Sequence, residues 1–269
     1  MTVTYMPDLS RVRVSLAIPA GTTDHVDVQR SSDEIRWSFV RGGEGAEAVP
    51  STTFALDDYE FPAGVEVRYR VIRYTAAGAV IATSDAGSLT VALDKIWLKS
   101  VTRPFLNRAV EVRDWGPVSR RARNGVFDVV GRSFPVAVTD VRTSSAYVLD
   151  VHVLTTAEAD EFDLILSSGD PVFLHTPDPG AYPLPGELMR SMYAVIGDTT
   201  ESRLGLQGRR IFSLPLIEVA APHHSIVGIT YTWQSVINDF ATWADVIAAE
   251  SSWATLQELI GDPVDVVVP

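Results

Sequence analysis

The sequence predicts a mainly β protein: an N-terminal β-sandwich, then a β-rich domain of sandwich or split-barrel form with one embedded helix, and a short helical C-terminal segment. Three observations predict it. Apolar residues alternate with polar ones in short runs, about seven such runs fall within the first 94 residues, and helical spacing occurs in only three short runs. Chain length agrees, because 269 residues is more than a single core of about 100 to 200 residues usually takes.

Val12, Val14, Leu16 and Ile18 alternate with Arg13, Ser15 and Ala17, and Pro19 with Gly21 closes this strand. Further strands are expected at His25 to Arg30, Ile35 to Arg41, Ser51 to Leu56, Val65 to Thr75, Val80 to Ser84 and Ser88 to Leu93. Gly42, Gly43 and Gly45 mark one turn, and Pro62 with Gly64 another. Residues 1–94 are therefore expected to form a sandwich. Residues 95–107, with Pro104, are read as a junction in which Trp97 and Phe105 pack between domains.

From 108 to 235 the expected order is strand at Val110 to Trp115, an Arg120-Arg121-Arg123-Asn124-Gly125 turn, and strands at Phe127 to Val130 and Phe134 to Val141. Tyr147, Leu149, Val151 and Val153 alternate as another strand. Thr155 and Thr156 can cap a helix with Ala159, Phe162, Ile165 and Leu166 on one face, ended by Gly169. Strands at Val172 to Leu174, Met189 to Ile196, Arg210 to Val219 and Ile226 to Trp233 complete the domain, around a Pro- and Gly-rich loop from Thr176 to Glu187. In 236–269, Val236, Phe240, Trp243 and Ile247 share a helical face, as do Trp253, Leu256 and Ile260. Ten residues turn a helix by about 80°, so Trp233, Trp243 and Trp253 are not one stripe. Each anchors a short element, either within this chain or, for Trp243 and Trp253, against a partner subunit.

The chain has no cysteine, which removes disulfides, thiolate metal sites and cysteine nucleophiles. No run reaches the ~20 apolar residues of a membrane span, and Met1 to Arg13 lacks a signal-peptide layout, so a soluble protein is expected. A net charge of −12 argues against nucleic acid as a partner. Charge is also uneven: nine basic residues face three acidic ones between Lys95 and Arg132, whereas beyond Arg210 there are seven acidic residues and no Lys or Arg. Solvated loops of differing charge are the ordinary explanation, and basic and acidic regions meeting across a subunit interface the sharper one. Arg120, Arg121 and Arg123 are the candidate interface residues, arginine being suited to bidentate pairing with carboxylates.

Catalytic patterns are scarce, and no enzyme, metal or cofactor is expected. The five histidines hold no i, i+4 pair, and His223 and His224 are expected in an exposed loop with their side chains pointing apart. Asp57-Asp58, Asp160-Glu161 and Asp178 are carboxylate candidates only in the sense that a glycosidase pair is defined in space.

Trp37, the stretch Pro62-Ala63-Gly64-Val65-Glu66-Val67-Arg68-Tyr69-Arg70-Val71, and Gly78 together resemble a fibronectin type III domain. Val67 stands where that family usually has its corner tyrosine, which implies that the usual hydroxyl-to-backbone bond is missing. Further on, Gly131 to Arg142 (GRSFPVAVTDVR), Thr156 to Ala159, Ser168 to Pro177 and Leu214 to Val219 resemble distal-tail or minor tail proteins of siphophages infecting actinobacteria. The stretches Phe240 to Val246 and Ser252 to Ala254 are similar to helical tails of those proteins. The resemblance covers about 95 to 260. It implies a virion structural protein, assembled in the host cytoplasm into a hexameric or trimeric ring that joins tail tube to tip or baseplate. Partners implied are copies of itself and the tube, tape-measure and tip or hub proteins. A carbohydrate-binding tail module, contacting a host-surface glycan through the Pro-rich loop and Tyr182, is the alternative.

Overall fold

A computed structural model describes residues 1–178, 189–205, 208–225, 240 and 242–249. The chain divides into two compact units, each assembled from separate segments. The first comprises 1–109, 170–191 and 222–269, and the second 110–169 and 192–221. The protein is mainly β, as the alternation of its sequence predicts.

In the first unit, β1 (Thr2–Met6), β2 (Arg11–Ala17), β3 (His25–Ser31), β4 (Ser38–Phe39), β5 (Ala46–Glu47), β6 (Thr53–Asp58), β7 (Glu66–Tyr74) and β8 (Val80–Thr90) form two sheets. One sheet has the order β1-β2-β6. The other runs β4-β3-β7-β8, with β5 also paired to β3. All pairs are antiparallel, and the chain passes between the sheets after β2, β5 and β6, the crossing pattern of a Greek-key sandwich. Val12, Val14 and Leu16 of β2 and Val67, Tyr69 and Val71 of β7 enter one core, which period-2 alternation requires of inward-facing residues.

Local chemistry explains the departures from expectation. The run from Ile35 to Arg41 keeps only β4, because Asp33 Oδ1 accepts from the amides of Ile35 (2.9 Å) and Arg36 (2.8 Å). Ser31 Oγ likewise accepts from the amide of Glu34 at 2.8 Å, so side chains take up donors a strand ladder would use. Trp37 is half-buried there and lies outside the core, with the Arg70 guanidinium 4.1 Å from its ring centroid. The two expected runs from Val80 are one strand, with irregular register between Tyr69 and Arg70 opposite Gly87 (φ 93°).

Residues 95–107 hold β9 (Ile96–Ser100), a 3-10 turn at Pro104–Leu106, and Asn107, whose side chain accepts from the amide of Ser100 at 3.0 Å. Trp97 is 8% exposed and belongs to the sandwich core, while Phe105 is half-buried.

In the second unit, β10 (Arg108–Trp115) leads to β11 (Gly125–Phe127), β12 (Val136–Val138) and β13 (Ala146–Val153). Helix α1 (Thr156–Ser167) opens on a full capping box, Thr155 with Glu158, and Gly169 follows at φ +67°. Its buried face is Ala159, Phe162 and Ile165, in agreement with the expected stripe for these three. The chain then supplies β14 (Val172–His175), which pairs with β9 in the first unit, before β15 (Met192–Ile196), β16 (Thr200–Arg203) and β17 (Arg210–Glu218). Strand β17 pairs with β13 along eight residues, and with β15 and β16 as well. Helix α2 (Trp243–Ala249) ends the described chain, with Thr242 and Asp245 capping it reciprocally.

Candidate assembly interface

Arg120, Arg121 and Arg123 stand on a projection between β10 and β13. Its root is closed by Ser119 and Ala146, whose backbones exchange two hydrogen bonds of 2.8 and 2.9 Å. One step further, the amide of Thr143 donates to the carbonyl of Arg121 (3.0 Å), and the amide of Arg121 donates to Thr143 Oγ1 (2.9 Å). Arg142 reaches the carbonyl of Arg120 at 3.4 Å. Beyond this root every residue from Pro117 to Arg142 is exposed except Gly125, which is half-buried. All three candidate arginines therefore share one exposed element. Exposed guanidinium groups retain their hydration until a partner arrives, which suits them to steering an acidic surface.

Trp243 opens α2 and is 57% exposed, while Val246 supplies the buried side of that helix. Trp253 lies outside the described residues, as do Trp233 and most of the Pro-rich loop with Tyr182. Thr176 at the start of that loop is buried, its amide donating to Ser191 Oγ at 2.9 Å.

Two of the carboxylate candidates, Asp57 and Asp58, are held by structural partners. Asp57 and Asp58 are buried at the end of β6. Arg13 grips Asp57 through two bonds of 2.8 and 2.9 Å, and Arg11 adds a third contact at 3.0 Å. Arg30 pairs with Asp58, which also accepts the Tyr69 hydroxyl at 2.9 Å. Tyr69 thus places a buried hydroxyl two residues along the strand from Val67, and its partner is a side chain. Burial, followed by the charge of Asp58, holds that phenol well above its usual pKa. Asp160 and Glu161 are exposed on α1.

A second buried polar centre has little sequence signal. Lys99, on β9, is 1% exposed and donates to the carbonyls of Ser10 (2.6 Å) and Tyr59 (2.7 Å) and to His175 Nδ1 (2.8 Å). Three acceptors match the three donors of an ammonium group, so burial leaves none unmet. Burial pushes its pKa down to about 7, with Asp58 and Glu60 opposing and Arg30 assisting. His175 is held well below the ordinary histidine value by burial and then by the Lys99 charge. The neutral ring is what allows Nδ1 to accept. A lysine inside the apolar run IWLKS was the one clue, and His175 lies 76 positions away.

His223 and His224 do not point apart: their ring centroids are 4.1 Å from one another, and the His224 ring stacks on Phe39 at 4.9 Å. The backbone turns at His224 and Ser225 and is not extended, so neighbouring rings converge. Arg41 ties this segment down by donating to the carbonyls of His223 (2.6 Å) and Pro222 (3.2 Å). Among the described residues no group of three His, Asp or Glu side chains could hold a metal, and no described helix is long and apolar enough to cross a membrane.

No protein-family model and no curated protein matches this chain.

Proposed function

We propose that this protein is a structural component of a bacteriophage tail, at the distal end or tip, assembling with copies of itself into a ring that joins the tail tube to the tip or baseplate. The observation that carries the reading is the exposed projection bearing Arg120, Arg121 and Arg123 on a chain that is otherwise acidic. A ring needs a heterologous interface, in which one face of a subunit meets a different face of the next. A basic projection and an acidic body supply two such unlike faces. The sequence resemblance from 95 to 260 supports the tail assignment, and the three-plus-five strand sandwich supports a fibronectin-like module used as a spacer or platform. Buried carboxylates locked by arginines favour architecture over catalysis.

Reversal of Arg120, Arg121 and Arg123 to Glu tests the reading. Sedimentation at ~0.1 M salt is expected to show weakened association with an unchanged urea midpoint. Unchanged oligomer size with a lowered midpoint would place these residues inside the fold and remove the interface.

A further inference from the structure

The same projection carries a second feature that its charge does not explain. Strands β11 and β12 pair over three positions, Gly125 with Val138, Val126 with Ala137 and Phe127 with Val136. Residues opposite one another in an antiparallel pair point to the same side. Phe127, Val136 and Val138 therefore share one face, with Val126 and Ala137 on the other. All five are exposed. The Phe127 ring folds back over Gly125, where an added Cβ would lie 2.8 Å from a ring carbon. At the tip, Val130 is 103% exposed and Phe134 84%.

A two-stranded hairpin is marginal in water, and an apolar stretch of this extent on a surface marks a contact site. Both sides of a core strand are present here without a core. The occupant is indicated by charge. From Pro117 to Arg142 there are five arginines against two aspartates, a surplus of three positive charges, so the rest of a chain of net −12 carries −15. Helix α1 is one such acidic surface, with Asp160, Glu161 and Asp163 exposed and no Lys or Arg.

We infer that the hairpin of residues 117–142 is an assembly arm that buries Phe127, Val130 and Phe134 against a second copy of this chain, these apolar side chains supplying the affinity while the arginines steer the approach. The inference rests on the self-assembly reading above and adds which side chains hold the copies together. Interface energetics favour it, because aromatic and apolar anchors dominate affinity at an interface centre, whereas rim charges chiefly set association rate and salt dependence.

Sedimentation velocity of the full chain separates the two contributions. Phe127→Ser, Val130→Ser and Phe134→Ser together are expected to weaken self-association at least about a hundredfold at both ~0.1 and ~1 M salt, since burial of such side chains does not depend on charge. Arg120→Glu, Arg121→Glu and Arg123→Glu together are expected to weaken it at the lower salt and recover at the higher, where charges are screened beyond about 3 Å. A second variant guards against misfolding: Ser119 and Ala146 are joined by a two-residue Asn-Gly turn, which their paired backbones accept. It is expected to be a folded monomer. A serine triple variant, or an arm-less variant, that assembles like the parent would overturn the inference while leaving self-assembly intact. A parent chain that stays monomeric at ~100 μM would overturn self-assembly itself, and the inference with it.

Discussion

Replacing Lys99 by Met probes the buried centre of the sandwich, and its consequence is a pH profile. The ammonium has a pKa of about 7 in the folded chain, against 10.5 in the ordinary state. The unfolded chain therefore binds more protons than the folded one between these values, and stability rises with pH across that window. Below pH 7 both states are protonated and the folded state bears the full cost, about 5 kcal/mol at 1.36 kcal/mol per unit. Between pH 7 and about 9.5 some 3 kcal/mol is regained, roughly. Burial raises Tyr59 to about 12 and lifts Tyr69 and Tyr147 also, so above pH 10 the unfolded state gains by ionising its tyrosines and stability falls again. Urea denaturation followed by tryptophan fluorescence at half-unit pH steps should show a rise to about 9.5 and then a decline. Lys99→Met should be flat through the rise. It should also be less stable than the parent at pH 9.5, because the carbonyls of Ser10 and Tyr59 lose their donor at about 1 to 3 kcal/mol each. Parallel profiles for parent and variant would refute the argument, since Lys99 would then titrate as an exposed lysine does.

Other positions give sharper local tests. Tyr69→Phe removes one donor from buried Asp58 and should lower the urea-derived stability by about 1 to 3 kcal/mol, with Arg30 still paired. Thr155→Ala deletes one half of the α1 capping box and should cost about 1 kcal/mol, read from the thermal midpoint. Gly64 sits at φ +72° with room for no Cβ, since one would lie 2.3 Å from the Asp178 side chain. Gly64→Ala should therefore destabilise by more than about 1 kcal/mol, whereas Gly78→Ala, at φ +78° with open space around it, should cost less by calorimetry.

Legibility followed the range of the interactions involved. Strands β2 and β7 and helix α1 were readable because burial on one face imposes a period within a dozen residues, and because Thr155, Glu158 and Gly169 are local caps. Strand β16, TESR, was not readable, since all four residues are exposed and no apolar alternation marks them. The Ser31 to Arg36 turn defeated a strand expectation because Asp33 captured backbone donors locally. Lys99 and His175 meet only through tertiary structure. The projection was legible in part: its arginines were identifiable from charge, but Phe127 to Val130 and Phe134 to Val141 have the composition of core strands and are exposed in the fold. Sequence pattern reports that such residues want burial, and it is silent on which chain provides it.

We propose that this protein is built into a phage tail. Immunogold electron microscopy, with antibodies raised against the purified chain and applied to particles from the strain that carries its gene, tests that claim most directly. Gold confined to the distal end of the tail is expected. Particles without gold, in preparations whose lysates contain the protein, would contradict it.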